Sequence, residues 1–264
     1  MMIKKMWNSF KIAFSMYSKI PMPESEWTEE NMSYAFIFFP WIGAVIGILM
    51  YGIFRMKEWC AGQGMGVSEL TFTVALVILP IFITGGIHMD GFLDTQDALS
   101  SYQPKEKRLE ILKDPHAGAF AIISCGVYLL CYMGIYSSMT RRSALVVSLG
   151  FLLSRTLSGW SVLSFPQAKK KGLAATFSEN ARKRTVRIVL TCYFAVLCVV
   201  MVMVGRITGV AAVIAAGLMF LYYYRVAVKK FGGVTGDLAG YFLQMCEITM
   251  AAAAVAADVI VRCI

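Results

Sequence analysis

Long apolar segments constrain this chain more than any other feature of its sequence. Only 16% of the residues are charged and 58% are hydrophobic, whereas soluble domains carry about 25% charged residues. Seven segments approach or exceed the roughly 20 residues that a helix needs to cross a bilayer: 33–54, 70–87, 117–139, 143–166, 188–204, 207–224 and 241–261. The connections are too short for a soluble domain. The sequence therefore predicts one integral domain over residues 1–264, an all-α polytopic membrane bundle of about seven transmembrane helices.

The distribution of Lys and Arg predicts the orientation of this bundle. With seven spans, 18 of the 25 basic residues fall on one side and 6 on the other. Because basic loops remain cytoplasmic, we expect a multi-pass protein of the bacterial cytoplasmic (inner) membrane with loops 88–116, 167–187 and 225–240 inside. Contact with membrane lipid, and for some residues with a phosphorylated substrate, accounts for the net charge of +9, so no nucleic-acid partner is needed. Oligomerisation stays open.

Residues 3–20 have the pattern of an amphipathic helix. Trp7, Phe10, Phe14 and Tyr17 share one helical face, and four Lys residues occupy the polar side or the ends. Aromatic and basic faces of this kind are typical of helices that lie on a membrane surface. The sequence predicts an interfacial helix on the cytoplasmic leaflet.

Three carboxylates form the most informative polar cluster. Asp90, Asp94 and Asp97 are spaced by four and then three residues, so in a helix they project from one face. Raised pKa values or bound divalent cations relieve such crowding, and all-oxygen ligands favour Mg²⁺ or Mn²⁺ over zinc. The glycines at 85, 86 and 91 leave room for close approach of a large ligand. A solvated acidic loop is the alternative interpretation.

Further candidate residues occur later in the same cytoplasmic loop and in the two other loops on that side. A second glycine-rich stretch, 231–240, resembles a hinge that delivers Asp237 to a site. The pattern of residues 105–114 predicts a short amphipathic helix, and its Arg108 and Lys113 could bind a phosphate group. The alternative interpretation is a surface helix without a binding role. Residues 169–172 are basic enough to meet a phosphate, although they are better explained as a determinant of topology.

Two charges fall inside predicted spans. Arg155 and Glu247 interrupt otherwise apolar helices, and a charge at the centre of a bilayer helix costs about 2.5–3.5 kcal/mol on insertion scales. Such residues face a polar interior or a partner. We expect Arg155 to point into the same cavity as the carboxylates, and Glu247 to be a functional residue.

Together these motifs resemble the cobalamin synthase family of membrane enzymes, over essentially the whole chain. The matching elements are Gly85-Gly86-x-His88-x-Asp90-Gly91-x-x-Asp94-Thr95-x-Asp97, Arg108-x-x-x-Leu112-Lys113-Asp114 with Gly118, Gly232-Gly233-x-Thr235-Gly236-Asp237 with Glu247, and Phe39-Pro40-x-Ile42-Gly43. The departures are Ala98 for Gly, Pro115-His116 for Ser-Arg, Val234 for Gln, and Leu238, Ala239 and Tyr241 for Thr, Leu and Ala. None of these departures removes a carboxylate.

The resemblance implies the activity of an adenosylcobinamide-GDP ribazoletransferase, which joins adenosylcobinamide-GDP to α-ribazole or its 5′-phosphate and releases GMP. It implies a metal set for Mg²⁺ made of Asp90, Asp94, Asp97 and Asp237, with Asp94 and Asp97 as the catalytic pair and Asp97 as the base. The implied substrate-binding residues are His88, Arg108, Lys113, Asp114, Arg155, Thr235 and Glu247.

Two alternatives remain at this point. The Asp-Gly-x-x-Asp-x-x-Asp spacing is also similar to that of the CDP-alcohol phosphotransferases, although an Arg of their motif is missing here. A cation transporter would use intramembrane acids as a permeation path. Acids clustered beside basic residues at one membrane face argue against conduction.

Overall fold

Residues 2–168 and 172–263 are described by a computed structural model. Within these ranges the chain forms twelve α-helices: α1 Met2–Tyr17, α2 Glu29–Met32, α3 Ala35–Gly62, α4 Glu69–Thr84, α5 Ile87–Ser100, α6 Lys105–Ile111, α7 Ala119–Ser137, α8 Arg141–Ser164, α9 Leu173–Asn180, α10 Lys183–Gly205, α11 Ile207–Val226 and α12 Gly236–Cys263. A π-helical turn, Ala227–Phe231, continues α11. The same ranges contain no β-strand, and a single β-bridge joins Gln167 to Val234. The all-α prediction is confirmed, while Lys169–Lys171 lie outside the described residues.

Six of these helices are long and apolar enough to cross a membrane by themselves: α3, α7, α8, α10, α11 with its π turn, and α12. The pair α4–α5 passes the same test only when the two helices are taken together, and they are bent by 95° at their junction. The described part of the chain therefore has six candidate spans, or seven if the bent pair counts as one. This agrees with the expected number of about seven.

The bend between α4 and α5 comes from two glycines. Gly85 has a φ of 64° and Gly86 a φ of 80°. This left-handed backbone conformation commonly ends helices, and residues other than glycine rarely adopt it. The Gly86 N–H donates to the Ile81 carbonyl at 3.0 Å, which closes the end of α4. The predicted span 70–87 therefore ends at Thr84, and α5 leaves in a new direction at one end of the bundle.

Helix α8 forms the centre of the bundle. It packs against α3, α10, α11 and α12, and most of its side chains are buried. Its first turn is capped by a reciprocal pair, Thr140 and Ser143. Buried hydroxyls along α8 donate to carbonyls of their own helix, as Ser148 does to Ala144 at 2.8 Å and Thr156 to Leu152 at 2.7 Å, so that they need no water within the bundle.

Helix α1 packs against the bundle through the face that was predicted to lie on lipid. Phe10 lies 5.5 Å from Phe38, and Tyr17 lies 4.5 Å from Phe39, both measured between ring centroids. Phe14 is 4% exposed. The predicted helix at 3–20 forms over Met2–Tyr17. Most of its aromatic face contacts the rings at the start of α3.

Candidate active site

The acidic face of α5 is helical, as its spacing predicts. Asp90 is exposed, and Asp94 is half-buried one turn further along the helix. Burial, followed by the negative charges of Asp90 and Asp237, raises the pKa of Asp94 to about 6, with smaller contributions from Asp97 and Asp114. These carboxylates therefore lie within electrostatic reach of one another although they come from different parts of the chain.

The fourth predicted carboxylate, Asp237, lies in the first turn of α12. The preceding Thr235 caps this helix, because its hydroxyl accepts the Leu238 N–H at 3.2 Å. The Val234 N–H donates to the Pro166 carbonyl at 2.8 Å and holds the turn against the end of α8. The hinge predicted here is thus a short turn that hydrogen bonds hold in place. Helix α12 begins at Gly236, five residues before the start of the predicted span 241–261.

Close contact between α5 and α12 brings the two acidic elements together. A Cβ atom at Gly91 would lie 2.7 Å from the Asp237 carbonyl oxygen and 2.8 Å from the Asp237 Cα. Real Cβ atoms do not approach backbone this closely, so a residue with a side chain at position 91 would push the helices apart. Gly91 is therefore required for the approach of Asp237 to Asp90 and Asp94.

A cavity of about 480 Å³ opens where α1, α3, α5, α8, α9 and α12 meet. Five of the predicted site residues line it, from three separate stretches of the chain: His88, Asp90, Lys113, Thr235 and Asp237. The remainder of the lining is mainly apolar, with aromatic side chains from α1 and α3. A ligand in this cavity would meet two carboxylates and an ammonium group beside an aromatic surface.

Asp97 has a different environment from the other carboxylates. One of its oxygens accepts the Gly118 N–H at 2.6 Å and the other accepts the Ala121 N–H at 2.8 Å. These N–H groups belong to the start of α7, where a helix leaves its donors unpaired and favours a negative charge. Asp97 is absent from the cavity wall, and its contacts attach α5 to α7.

Arg155 and Glu247 contact each other inside the bundle. The Arg155 Nη1 donates to Glu247 Oε1 at 2.7 Å, and the Ser154 hydroxyl donates to the same oxygen at 2.8 Å. The two residues are 1% and 5% exposed. The expectation that Arg155 points into the cavity is wrong, because its partner on α12 holds it in the helix interface, and Glu247 is likewise placed away from the cavity. Arg155 affects the site only at a distance: burial, and then the charge of Arg155, lower the pKa of His88.

Comparisons with known proteins agree with the resemblance in the sequence. The family model for cobalamin-5-phosphate synthase matches residues 9–255. An adenosylcobinamide-GDP ribazoletransferase of Lachnoclostridium phytofermentans is 48% identical over 251 residues, which cover 95% of this chain and 94% of the relative. Enzymes of the same name from Clostridium perfringens strain SM101 and Geobacillus sp. strain WCH70 are each 31% identical, over 94% and 93% of this chain and over 97% and 94% of their own lengths. No solved structure matches the chain.

The chain belongs to the cobalamin-5-phosphate synthase family. Because this match covers most of the chain, including all the acidic and glycine-rich motifs, it replaces the two alternatives, a CDP-alcohol phosphotransferase and a cation transporter. Five of the predicted site residues from the family-resembling motifs, His88, Asp90, Lys113, Thr235 and Asp237, line the cavity.

Arg108 and Asp114, two further predicted site residues, do not line the cavity. Arg108 on α6 is partly buried, and its Nε has no partner among the described residues. Asp114 is fully exposed and accepts the backbone N–H and the imidazole Nδ1 of His116 at 3.0 and 2.8 Å, contacts that lower its pKa. Asp114 therefore shapes the turn after α6.

The donor set suits a magnesium ion that is shared with a substrate. Within residues 2–168 and 172–263, no three His, Cys, Asp or Glu side chains come together closely enough to hold a metal by themselves. Mg²⁺ is usually bound by one or two carboxylates together with substrate phosphates and water. Asp90 and Asp237, which line one cavity from the contacting helices α5 and α12, provide such a pair, and after burial their negative charges contribute to the raised pKa of Asp94.

Sequence reasoning missed the aromatic part of the cavity. Tyr17, Phe36 and Phe39 line it together with Met16. The only signal for Tyr17 was the aromatic face of the N-terminal segment, which a membrane surface explained equally well, and Phe39 was identified only as part of a family motif at the start of the first span. Contact between residues 17 and 39 depends on how α1 returns to α3, and no local pattern encodes that.

Proposed function

We propose that this protein transfers the cobinamide-phosphate part of adenosylcobinamide-GDP to α-ribazole or α-ribazole 5′-phosphate. The products are GMP and adenosylcobalamin or its 5′-phosphate. One observation carries the proposal: Asp90 and Asp237, from motifs almost 150 residues apart in the sequence, line one cavity together with Lys113. A pyrophosphate requires this mixture of metal-binding acids and a cation. The relatives' printed names supply the two substrates.

The reaction is a displacement at phosphorus. A ribose hydroxyl oxygen of the acceptor forms a bond to the phosphorus that carries cobinamide, and the bond from that phosphorus to the bridging pyrophosphate oxygen breaks. The bridging oxygen leaves with GMP, and the hydroxyl proton passes to a base on the protein. Positioning and charge stabilisation supply most of the catalysis in reactions of this type.

Asp90 and Asp237 are the residues that would hold Mg²⁺ against the pyrophosphate, with Asp94 next to them. When bound, Mg²⁺ supplies neutralisation of the charge on the phosphoryl oxygens. Lys113 donates to a phosphate oxygen from the same wall, and Thr235 keeps Asp237 in place by capping α12. Arg108 precedes Lys113 by five residues, and its Nε has no hydrogen-bond partner in the described structure. We include it as a second cation for phosphate binding.

Asp94 is a better-placed base than Asp97. Neither carboxylate lines the cavity, but both oxygens of Asp97 already accept N–H groups of α7, whereas Asp94 lies within electrostatic reach of Asp90 and Asp237. We therefore assign proton acceptance to Asp94 and the positioning of α5 to Asp97. General-base catalysis contributes about 10²–10⁴-fold to rates, which is large enough to measure by substitution.

The cytoplasmic side of the bacterial inner membrane is the proposed location of the site. All the loops that contribute to the cavity wall, around residues 113, 167, 172 and 234–236, belong to the side that carries 18 of the 25 basic residues. Phosphorylated, water-soluble substrates are available on that side. Anionic lipid at the same face would contact the remaining basic residues.

The test uses the purified protein in detergent. Adenosylcobinamide-GDP, α-ribazole and Mg²⁺ should yield GMP and a complete corrinoid, and removal of Mg²⁺ with a chelator should stop the reaction. A parallel reaction with α-ribazole 5′-phosphate compares the two acceptors. Lack of GMP release under all these conditions, together with turnover of a CDP-activated lipid, would refute the proposal.

A further inference from the structure

The cavity has two chemically different ends. One end carries Asp90, Lys113 and Asp237. The other is lined by Tyr17, Phe36 and Phe39, which we call the aromatic wall. His88 lines the same cavity next to the aromatic residues, because its ring stacks on Tyr17 at 6.2 Å with an interplanar angle of 23°. A ligand that fills the cavity would present an apolar, planar group beside a charged one.

The aromatic wall is held in place from behind. The centroids of Tyr17 and Phe39 are 4.5 Å apart, and Phe36 lies edge-on to Phe39 at 6.4 Å. Phe177 of α9 is 1% exposed and supports the wall, with its ring 6.2 Å from Tyr17 and 6.0 Å from Phe36. Rings fixed in this way lose little freedom when a planar ligand stacks on them.

We propose that the aromatic wall binds the planar base of the acceptor nucleoside, so that its ribose hydroxyl points towards the acidic end. This inference rests on the proposed function, since it assigns one of the two substrates to one end of the same cavity. The base of α-ribazole is a benzimidazole, an extended aromatic group with one free ring nitrogen. Such a base needs stacking surface and few hydrogen-bond partners.

The donor substrate fits the aromatic wall less well. Guanine presents acceptors at N7 and O6 and a donor at N2, and a pocket that buries these groups without partners loses the free energy of their hydrogen bonds to water. The wall offers a single polar group, the Tyr17 hydroxyl. A corrin ring with its adenosyl group is too large for a cavity of about 480 Å³, so the corrinoid must lie outside it.

Substitution of Tyr17 is the most direct test of this inference. Tyr17 is half-buried and belongs to α1, at the edge of the bundle, so its replacement perturbs the core less than a change at Phe36 or Phe39. Tyr17→Leu should raise the KM for α-ribazole about tenfold, because base stacking on an aromatic side chain is lost. The KM for adenosylcobinamide-GDP should change by less than about twofold. Tyr17→Phe, which keeps the ring, should behave like the wild type.

A matched control is available on α11. Phe220 is also half-buried among aromatic rings, 6.0 Å from Trp160 and 5.2 Å from Phe165, and it does not line the cavity. Phe220→Leu should leave both KM values unchanged. A rise of clearly more than about twofold in the KM for the donor in Tyr17→Leu, or no change in either KM, would overturn the inference.

Binding without turnover separates this inference from the proposed function. Isothermal titration of the wild type with α-ribazole alone should give a dissociation constant about tenfold lower than that of Tyr17→Leu, and guanosine should not compete. If the wild type shows this dependence on Tyr17 but releases no GMP, the proposed function fails and the binding site stands. Equal affinity of the wild type and Tyr17→Leu for α-ribazole refutes the binding site even when GMP is released.

Discussion

Arg155 of α8 and Glu247 of α12 form a 2.7 Å ion pair that is almost completely buried. The pair joins two central helices 92 residues apart in the sequence. A charge in this environment is tolerated only with its partner, because its transfer from water is costly. The pair thus belongs to the stability of the bundle, and this role can be separated from substrate binding.

Removal of one member of this pair should destabilise the protein more than removal of both. Glu247→Leu leaves an unpaired guanidinium and should cost about 3–5 kcal/mol of folding free energy. The double variant Arg155→Met/Glu247→Leu should recover most of this loss and should retain GMP release. Thermal unfolding in detergent and the turnover assay measure the two effects. Loss of activity in a stable double variant would show that Arg155 and Glu247 have a role in substrate binding.

The contact between Gly91 and Asp237 makes a second prediction. Gly91→Ala places a methyl group against the α12 backbone and should separate the two acidic elements, which lowers turnover by about 10²-fold or more, as expected for small misplacements of reacting groups. Gly126→Ala on α7 is the control, since a Cβ atom there has no atom within 4 Å. It should retain activity. Equal rates in both variants would show that the close contact is dispensable.

The raised pKa of Asp94 makes stability depend on pH. Its folded pKa of about 6 lies above its ordinary value of 3.8, so the folded state binds more protons between these values. Without Mg²⁺, the contribution of this carboxyl group to stability should therefore be fully present below about pH 3.8 and be lost as pH rises through about 6. Melting temperatures at several pH values, compared between the wild type and Asp94→Asn, isolate this contribution. Identical pH dependence in the two proteins contradicts it.

Substitution should also distinguish Asp97 from Asp94. Asp97→Asn keeps an oxygen that can accept an N–H of α7, so it should retain much of the activity, whereas Asp97→Ala should lose about 1–2 kcal/mol of stability, as when a helix cap is removed. Asp94→Asn should remove most turnover while the protein stays folded. Initial rates and melting temperatures test both. If Asp97→Asn is as inactive as Asp94→Asn, Asp97 is the base.

Asp237→Asn tests the magnesium proposal. The variant should need a higher Mg²⁺ concentration for half-maximal rate, because one carboxylate of the pair becomes neutral. Thr249→Val, a change on the same helix at a residue that does not line the cavity, provides a control with unchanged Mg²⁺ dependence. An unaltered Mg²⁺ requirement in Asp237→Asn would remove this residue from the metal site.

Sequence patterns predicted those features that depend on neighbours in the chain. Backbone groups in lipid must be satisfied within their own helix, so long apolar runs such as 207–224 mark their helices closely, and α11 occupies Ile207–Val226. The spacing of Asp90, Asp94 and Asp97 likewise defines one helical face. The end of α4 was misplaced by three residues, although the two glycines at 85 and 86 carry the signal for a helix terminus.

The sequence by itself determined that this chain is a helical membrane bundle with acids, glycines and cations at one end, because hydropathy and helical periodicity are local properties. Only the tertiary structure decided which of these residues share a cavity. It directed Asp97 to the start of α7, paired Arg155 with Glu247, and brought Tyr17 to Phe39, since each of these contacts joins residues that are far apart in the chain and depends on how whole helices pack.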